Sequence, residues 1–378
     1  MRQDESRQPR TRRSLIRSLV IACSSIAGLG LVGVLGPIAA PSPAGADPGP
    51  RLRCDRVVFP LALAPGQPAS LHAVGWLCAR GAIHDKTIQV LVHGATYDHN
   101  VWDFPYRPDR YSYVRAATDA GYATLNLDRL GHGQSSRVPG AELDLAVGAF
   151  ALHQIVEALR SGAIVTHHFG RVEADKILLA GESLGGNLVW TEAAIYRDVD
   201  GLVVAGSAHS FGIGLDRLLR VTVPVEQDPL LRLRGFPPGY LTTIPGTRAA
   251  AYYHPVDAEL LVILLDELLK QTITSGEIAG IPGSLPLTLQ VDVPTLIAVG
   301  DFDDIFCAGP SCSASGSLDA ETDSYGPGSC AELIIMPHAG HVLSLHRNAR
   351  DYFALVREWA DRRIGPVGSA PAPEPCDE

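Results

Sequence analysis

The stretch that most limits how this chain can fold is Ile177-Leu178-Leu179-Ala180-Gly181-Glu182-Ser183-Leu184-Gly185-Gly186. A short apolar run ends in Gly-x-Ser-x-Gly and passes straight into a helix-like segment, Asn187 to Tyr196. The pattern predicts a strand, a tight turn and a helix, with a serine at the apex. The turn is too sharp for a side chain at 181 or 185, which would strike the neighbouring strand or helix. The serine is then pushed clear of the backbone.

A serine hydroxyl is a weak nucleophile at neutral pH. It needs a base within hydrogen-bond reach and a third group to orient that base. Downstream, Thr295–Val299 reads as a buried strand, followed by Gly300 and the acids Asp301, Asp303 and Asp304. Leu333–Met336 reads as another strand, followed by Pro337-His338-Ala339-Gly340-His341. Both groups sit just past a strand's carboxyl end, where open parallel sheets gather their ligands. His341 is the candidate base, because Gly340 lets the chain bend and Val342-Leu343 can hold the ring. His338, after a proline, is its nearest rival. Asp303, three residues past Gly300, is the candidate orienting acid, with Asp301 and Asp304 as close competitors. Asp216, the first acid after the predicted strand Leu202–Ala205, lies too far along to compete.

The chain order Ser, Asp, His resembles the α/β-hydrolase superfamily, and the resemblance spans roughly Val57 to Ile364. It rests on the Gly-x-Ser-x-Gly turn and on His93-Gly94 after the strand Gln89–Val92. It rests also on Asp128-Arg129-Leu130-Gly131-His132-Gly133-Gln134-Ser135, on Gly300-Asp301-Phe302-Asp303 and on Gly340-His341. The resemblance implies Ser183, Asp303 and His341 as catalytic residues. It implies an oxyanion hole formed by the backbone N–H groups of Leu184 and Ala95. Thr96, Tyr97 and Trp102 are candidates for the mouth of the site. His93, beside the oxyanion loop, is expected to be buried and to bond nearby backbone.

The first 46 residues are expected to be an export signal. Thr11-Arg12-Arg13-Ser14-Leu15-Ile16-Arg17 resembles a twin-arginine signal, an apolar stretch runs to Ala40, and Ala44-Gly45-Ala46 fits a cleavage site. A membrane anchor is disfavoured by Gly28, Gly30, Gly33, Gly36 and Pro37. A lipid attachment at Cys23 would leave too few apolar residues after Arg17. The signal carries six arginines against Asp4 and Glu5, so the net charge of −10 becomes −14 once it is gone. So acidic a chain, with no basic patch, is a poor nucleic-acid binder. Cysteines 54, 78, 307, 312, 330 and 376 remain, an even number that suits disulfides in an exported protein. Cys54 and Cys78 flank a predicted hairpin and are paired here. Zinc is disfavoured, since no close Cys-x-x-Cys pair occurs.

The expected fold class is α/β, a mostly parallel doubly wound sheet with an inserted helical cap. Val57–Leu63 and Ser70–Leu77 read as antiparallel strands. Gln89–Val92, Ala123–Leu127, Ile177–Ala180, Leu202–Ala205, Thr295–Val299 and Leu333–Met336 read as buried ones. Helical patterns lie between them at Tyr111–Ala120, Leu143–Ser161, Gly186–Arg197 and Ala349–Ile364. The core is thus 47–206 and 293–364, with a flexible tail from 365 to 378. Residues 207–292 offer no good core strand, and a structureless loop of that length is implausible. The resemblance makes the segment a cap. Its helix Asp257–Ile273 carries too many leucines for one stripe and is expected to be covered on most sides. Leu260, Leu264 and Leu268 are candidates for the pocket wall, and no chemistry is expected from the cap.

The function these features imply is a secreted serine hydrolase that cleaves a carboxylic ester through an acyl-enzyme. The alternatives are acyl transfer, a peroxidase-like or carbon–carbon hydrolase reaction on the same triad, and a non-catalytic binding protein on this scaffold. A small-molecule or lipid-like ester is the expected partner. No cofactor, metal, nucleic acid or lasting membrane span is implied.

Overall fold

The computed structural model describes residues 50–366. The expected export signal lies outside them, as does the tail from residue 367. Eight strands form the main sheet: β1 Leu52–Leu61, β2 Leu71–Arg80, β3 Ile88–Val92, β4 Ala123–Asp128, β5 Ile177–Glu182, β6 Gly201–Ala205, β7 Thr295–Gly300 and β8 Glu332–Met336. Their spatial order is β1-β2-β4-β3-β5-β6-β7-β8. β1 pairs antiparallel with β2, and β2 antiparallel with β4. From β4 onward every neighbouring pair is parallel.

Residue pattern explains which strand sits where. β3, β5, β6 and β7 are buried at every position, as apolar runs covered on both faces must be. β1, at the edge, alternates instead: Asp55, Val57, Phe59 and Leu61 point inward. Cys54 and Cys78 face each other across the β1–β2 register and form a disulfide. The helix Leu145–Arg160 buries Leu145, Ala149, Leu152, Val156 and Leu159 on one face, and the Asp144 side chain caps it by accepting the Val147 N–H. The helix Leu184–Tyr196 is buried on nearly all sides, because it fills the space between the sheet and its neighbours. Tyr113–Asp119 and Ala349–Arg363 complete the core helices.

Between β6 and β7 the chain leaves the main sheet. It forms the helices Ile213–Arg220, Arg248–Tyr252, Leu260–Leu269 and Ser275–Ser284. It also forms a small antiparallel sheet from Thr222–Pro224, Tyr240–Thr243 and Ile273–Thr274. The leucine-rich helix departs from expectation. It is shorter than Asp257–Ile273, and Leu260, Leu261, Leu264 and Leu268 are each more than half exposed. Only Val262 and Asp266 are buried. The reason is electrostatic. Asp266 accepts from Arg248 at 2.9 Å through both oxygens, from Tyr253 Oη at 2.9 Å and from Tyr97 Oη at 3.2 Å. A carboxylate so held fixes the inner face of the helix, and the leucine stripe turns outward.

Gly365 and Pro366, the first two residues of the expected tail, are held by the core. Thr87 donates its N–H to the Pro366 carbonyl at 3.0 Å and its hydroxyl to the Gly365 carbonyl at 2.5 Å, so both residues are pinned beside β3.

Candidate active site

The turn after β5 brings its helix against β3. A Cβ on Gly181 would run into the carbonyl of Gly185, and one on Gly185 into the carbonyl of Val92. Ser183 sits between them at φ +53° and ψ −123°, a conformation that L-residues seldom adopt. Its N–H is held by the Ala205 carbonyl at 2.7 Å. The backbone is thereby committed to presenting the side chain past the strand ends.

Three of the singled-out residues meet there. Ser183 Oγ lies 2.8 Å from His341 Nε2, and His341 Nδ1 lies 2.9 Å from Asp303 Oδ2. Asp303 is fully buried, and its other oxygen accepts the Ile305 N–H at 3.1 Å. With Nδ1–H donating to Asp303, Nε2 is left to accept from the serine hydroxyl. Burial disfavours the charged imidazolium. The Asp303 carboxylate more than offsets this by its charge and hydrogen bond, and holds His341 above its ordinary value of 6.5.

The rivals are engaged elsewhere. Asp301 accepts the Ser313 N–H at 2.8 Å, and Asp304 pairs with Arg217 of the inserted segment at 2.7 Å. His338 is exposed and faces Asp257. Asp216 pairs with Arg220 on the surface. A disulfide, Cys307–Cys312, closes the loop that follows the acid. His93 is fully buried: its Nε2 accepts the Arg129 N–H at 3.2 Å and its Nδ1 faces the Gly94 carbonyl at 3.0 Å. In the turn 128–135, the Asp128 carboxylate accepts the Gln134 N–H and the Ser135 hydroxyl donates to the Asp128 carbonyl. That motif shapes a turn.

Among the described residues, the N–H groups of Ala95 and Leu184 have no protein acceptor. Both residues line a cavity of about 360 Å³ together with Ser183 and His341. The rest of its wall is almost wholly apolar: Phe211, Leu215, Leu218 and Leu219, then Ile273, Ile278, Ile281 and Leu285, with Ile305 and Phe306. Leu260, Leu264 and Leu268, expected as wall candidates, are not among them. The wall is made by the flanking helices Ile213–Arg220 and Ser275–Ser284. Thr96 lines the cavity, whereas Tyr97 lies under the Arg248 guanidinium and Trp102 packs against Tyr113 in the core.

Two features escaped sequence reasoning. Glu182, inside the motif itself, is fully buried and accepts the Gly94 N–H through Oε2 at 3.0 Å. Burial pushes its carboxyl up to about 7, against the pull of His341 and of that hydrogen bond. The second is the tie between cap and chemistry. Thr96 donates its N–H to the Thr272 carbonyl at 3.0 Å and accepts the Gln271 N–H at 2.9 Å. Arg248, wholly buried, donates to Thr96 Oγ1 at 2.8 Å while its guanidinium lies over the rings of Tyr97 and Tyr252. The His341 N–H in turn donates to the Tyr252 carbonyl at 3.0 Å. None of the triad residues comes from residues 207–292, yet that segment holds both the loop of Ala95 and the loop of His341. The acids inside the leucine run, Asp266 and Glu267, were the one available signal.

The sequence profile of the Alpha/beta hydrolase family matches residues 89–355. The chain belongs to that family. Its fold is similar to a thermophilic esterase from Thermogutta terrifontis, at 21% identity, 80% of this chain, 97% of that chain and a TM-score of 0.55. It is similar also to a bromoperoxidase from Bacillus anthracis, at 16% identity, 81% and 99% coverage and a TM-score of 0.55. A meta-cleavage product hydrolase from Pseudomonas fluorescens follows, at 16% identity, 77% and 94% coverage and a TM-score of 0.50. No curated protein sequence matches the chain.

Proposed function

We propose that the protein is an exported serine hydrolase that cleaves carboxylic esters carrying an apolar chain. The observation that carries this reading is the Ser183–His341–Asp303 chain of hydrogen bonds opening on an apolar cavity beside two unengaged backbone N–H donors. In the reaction, Ser183 Oγ attacks the ester carbonyl as His341 Nε2 takes its proton. The negative charge that gathers on the carbonyl oxygen is met by the N–H groups of Leu184 and Ala95. The tetrahedral species collapses, His341 returns the proton to the departing alcohol, and an acyl-enzyme remains on Ser183. Water then attacks along the same path, deprotonated by His341. Asp303 keeps the ring in the working tautomer and stabilises its charged form. Export is supported by the disulfides Cys54–Cys78 and Cys307–Cys312, since such bonds persist in oxidising compartments.

A fluorophosphonate probe, followed by peptide mapping, tests the nucleophile: label on Ser183 is expected, and label elsewhere or none would sink the proposal. A panel of p-nitrophenyl esters of graded acyl length tests the substrate class, with kcat/KM rising over short to medium chains. Acyl transfer to an added alcohol measures how far the acyl-enzyme is shared with acceptors other than water.

A further inference from the structure

His153, Glu192 and Asp198 meet on the outer side of the core, on the opposite end of the helix Leu184–Tyr196 from Ser183. His153 comes from the helix Leu145–Arg160, Glu192 from the helix Leu184–Tyr196, and Asp198 from the turn before β6. One donor atom from each lies within 4.8 Å of the others. His153 Nδ1 is 2.6 Å from Asp198 Oδ2, and its ring stacks on Tyr196 with centroids 4.0 Å apart. Glu192 is wholly buried, yet neither of its oxygens has a hydrogen-bond partner among the described residues, nor has Asp198 Oδ1.

Such groups are costly to leave unsatisfied. Among the described residues no donor reaches Glu192, but it faces Asp198 closely enough for a bond between them, and burial together with that neighbour pushes its carboxyl up to about 10. Two carboxyl groups can bond only through something positive, a proton or a metal ion. A proton on Glu192 satisfies one of its oxygens and leaves the other buried without a donor. A cation bound by both oxygens satisfies the pair. A second cluster makes the contrast. Asp98, His99 and Asp128 also lie within ligand distance of one another, but all four carboxylate oxygens there accept N–H groups: from Asn100 and Gln271 at Asp98, from His99 and Gln134 at Asp128. That cluster is complete as it stands.

We propose that His153, Glu192 and Asp198 form a divalent-cation site that clips the two core helices together. An imidazole with two carboxylates and no thiolate suits Zn²⁺ or Mn²⁺. Metal–ligand bonds of about 2.0–2.2 Å set tetrahedral donors roughly 3.4 Å apart, so side-chain adjustment of the three donors, now within 4.8 Å of one another, closes the set. Without an ion, Glu192 holds a proton toward Asp198; the ion takes the place of that proton and of the one that joins His153 Nδ1 to Asp198, and both leave to solvent. The side chains of His153 and Asp198 are partly exposed and give the ion a way in. The site stands independently of the chemistry assigned to Ser183.

Calorimetric titration of the EDTA-treated, dialysed protein with ZnCl₂ and with MnCl₂ tests this, together with metal content by mass spectrometry and thermal unfolding. Stoichiometric uptake is expected, with a raised unfolding midpoint. Uptake and shift should both vanish in Glu192→Gln and in His153→Gln, and survive in His99→Gln. The His153 variant changes a partly exposed residue and keeps the test usable if Glu192→Gln folds poorly. No uptake by the wild type, or equal uptake by wild type and His153→Gln, overturns the proposal. So does a Glu192→Gln variant that is more stable than wild type irrespective of metal, which would mean a shared proton.

Discussion

The two walls of the active-site cavity are built by opposite means. On the sheet side, Ser183, Asp303 and Leu184 stand within a few residues of a strand end, and His341 closes the turn after β8. Their positions follow from short stretches of backbone. On the cap side, Leu215, Leu218, Ile278 and Ile281 are placed by packing and by charges that bond across long sequence distances. Glu277 of the helix Ser275–Ser284 is buried against Arg129 of the core, which with His132 holds its carboxyl well below the usual range despite burial. Arg248 and Asp266 form a second buried pair, and Lys270 and Asp228 a third. The comparison teaches that the reacting groups are set locally and the pocket's shape is set globally. Arg248 and Tyr252 are where the two meet.

The sheet-side wall can be broken most severely. Ser183→Ala should cost on the order of 10⁶ in kcat, as loss of the nucleophile does in such enzymes. Stopped-flow and steady-state ester assays on the purified variant check it. Next comes Asp303→Asn, with a loss of about 10⁴, because the amide stabilises the wrong histidine tautomer. Asp301→Asn and Asp304→Asn should stay far more active, since neither acid touches His341.

Arg248→Met attacks the junction. It leaves Asp266 buried without its cation, at a cost of about 3–5 kcal/mol in stability. A misplaced oxyanion loop should lower kcat by up to about 10²-fold, with less effect on KM. Adding Asp266→Leu should recover stability without recovering kcat. Recovery of both would mean that the pair only holds the cap together.

The cap-side wall should yield smaller, selective effects. Leu218→Ala or Ile281→Ala removes contacts worth roughly 0.8 kcal/mol per substrate methylene, so the kcat/KM profile across the ester panel should shift by about fourfold per lost contact. Leu264→Ala, on the exposed stripe, should leave the profile as in the wild type. The smallest effect concerns pH. His341 must be neutral to accept the serine proton, and its raised pKa places the acid limb of kcat/KM above 6.5. The nearby Glu182 charge contributes to that rise. Glu182→Gln should therefore move the acid limb to lower pH.

This division also explains what was legible in the sequence. The sheet could be read from its unbroken apolar runs, and Ser183, Asp303 and His341 from their distance past a strand end. Ala95 and Leu184 came from the resemblance, and both line the cavity beside Ser183. The orientation of Leu260–Leu269 could not be read. Hydrophobicity says that its leucines prefer burial. The inner face was decided by Asp266, whose partners come from two distant places, Arg248 and Tyr253 at the two ends of one short helix and Tyr97 after β3. Glu182 was in plain view, yet nothing local says that a glutamate beside the nucleophile turns back to hold the Gly94 N–H.

The backbone at Ser183 has a consequence for how this chain can change over time. Its positive φ is a conformation that glycine adopts freely and that any side chain resists, at a cost of about 1–3 kcal/mol. Drift toward stability alone would therefore replace the serine with glycine and leave the rest of the fold content. A lineage that keeps serine there is holding its least comfortable residue against that pull, and a copy released from its duty should lose this residue before it loses its shape.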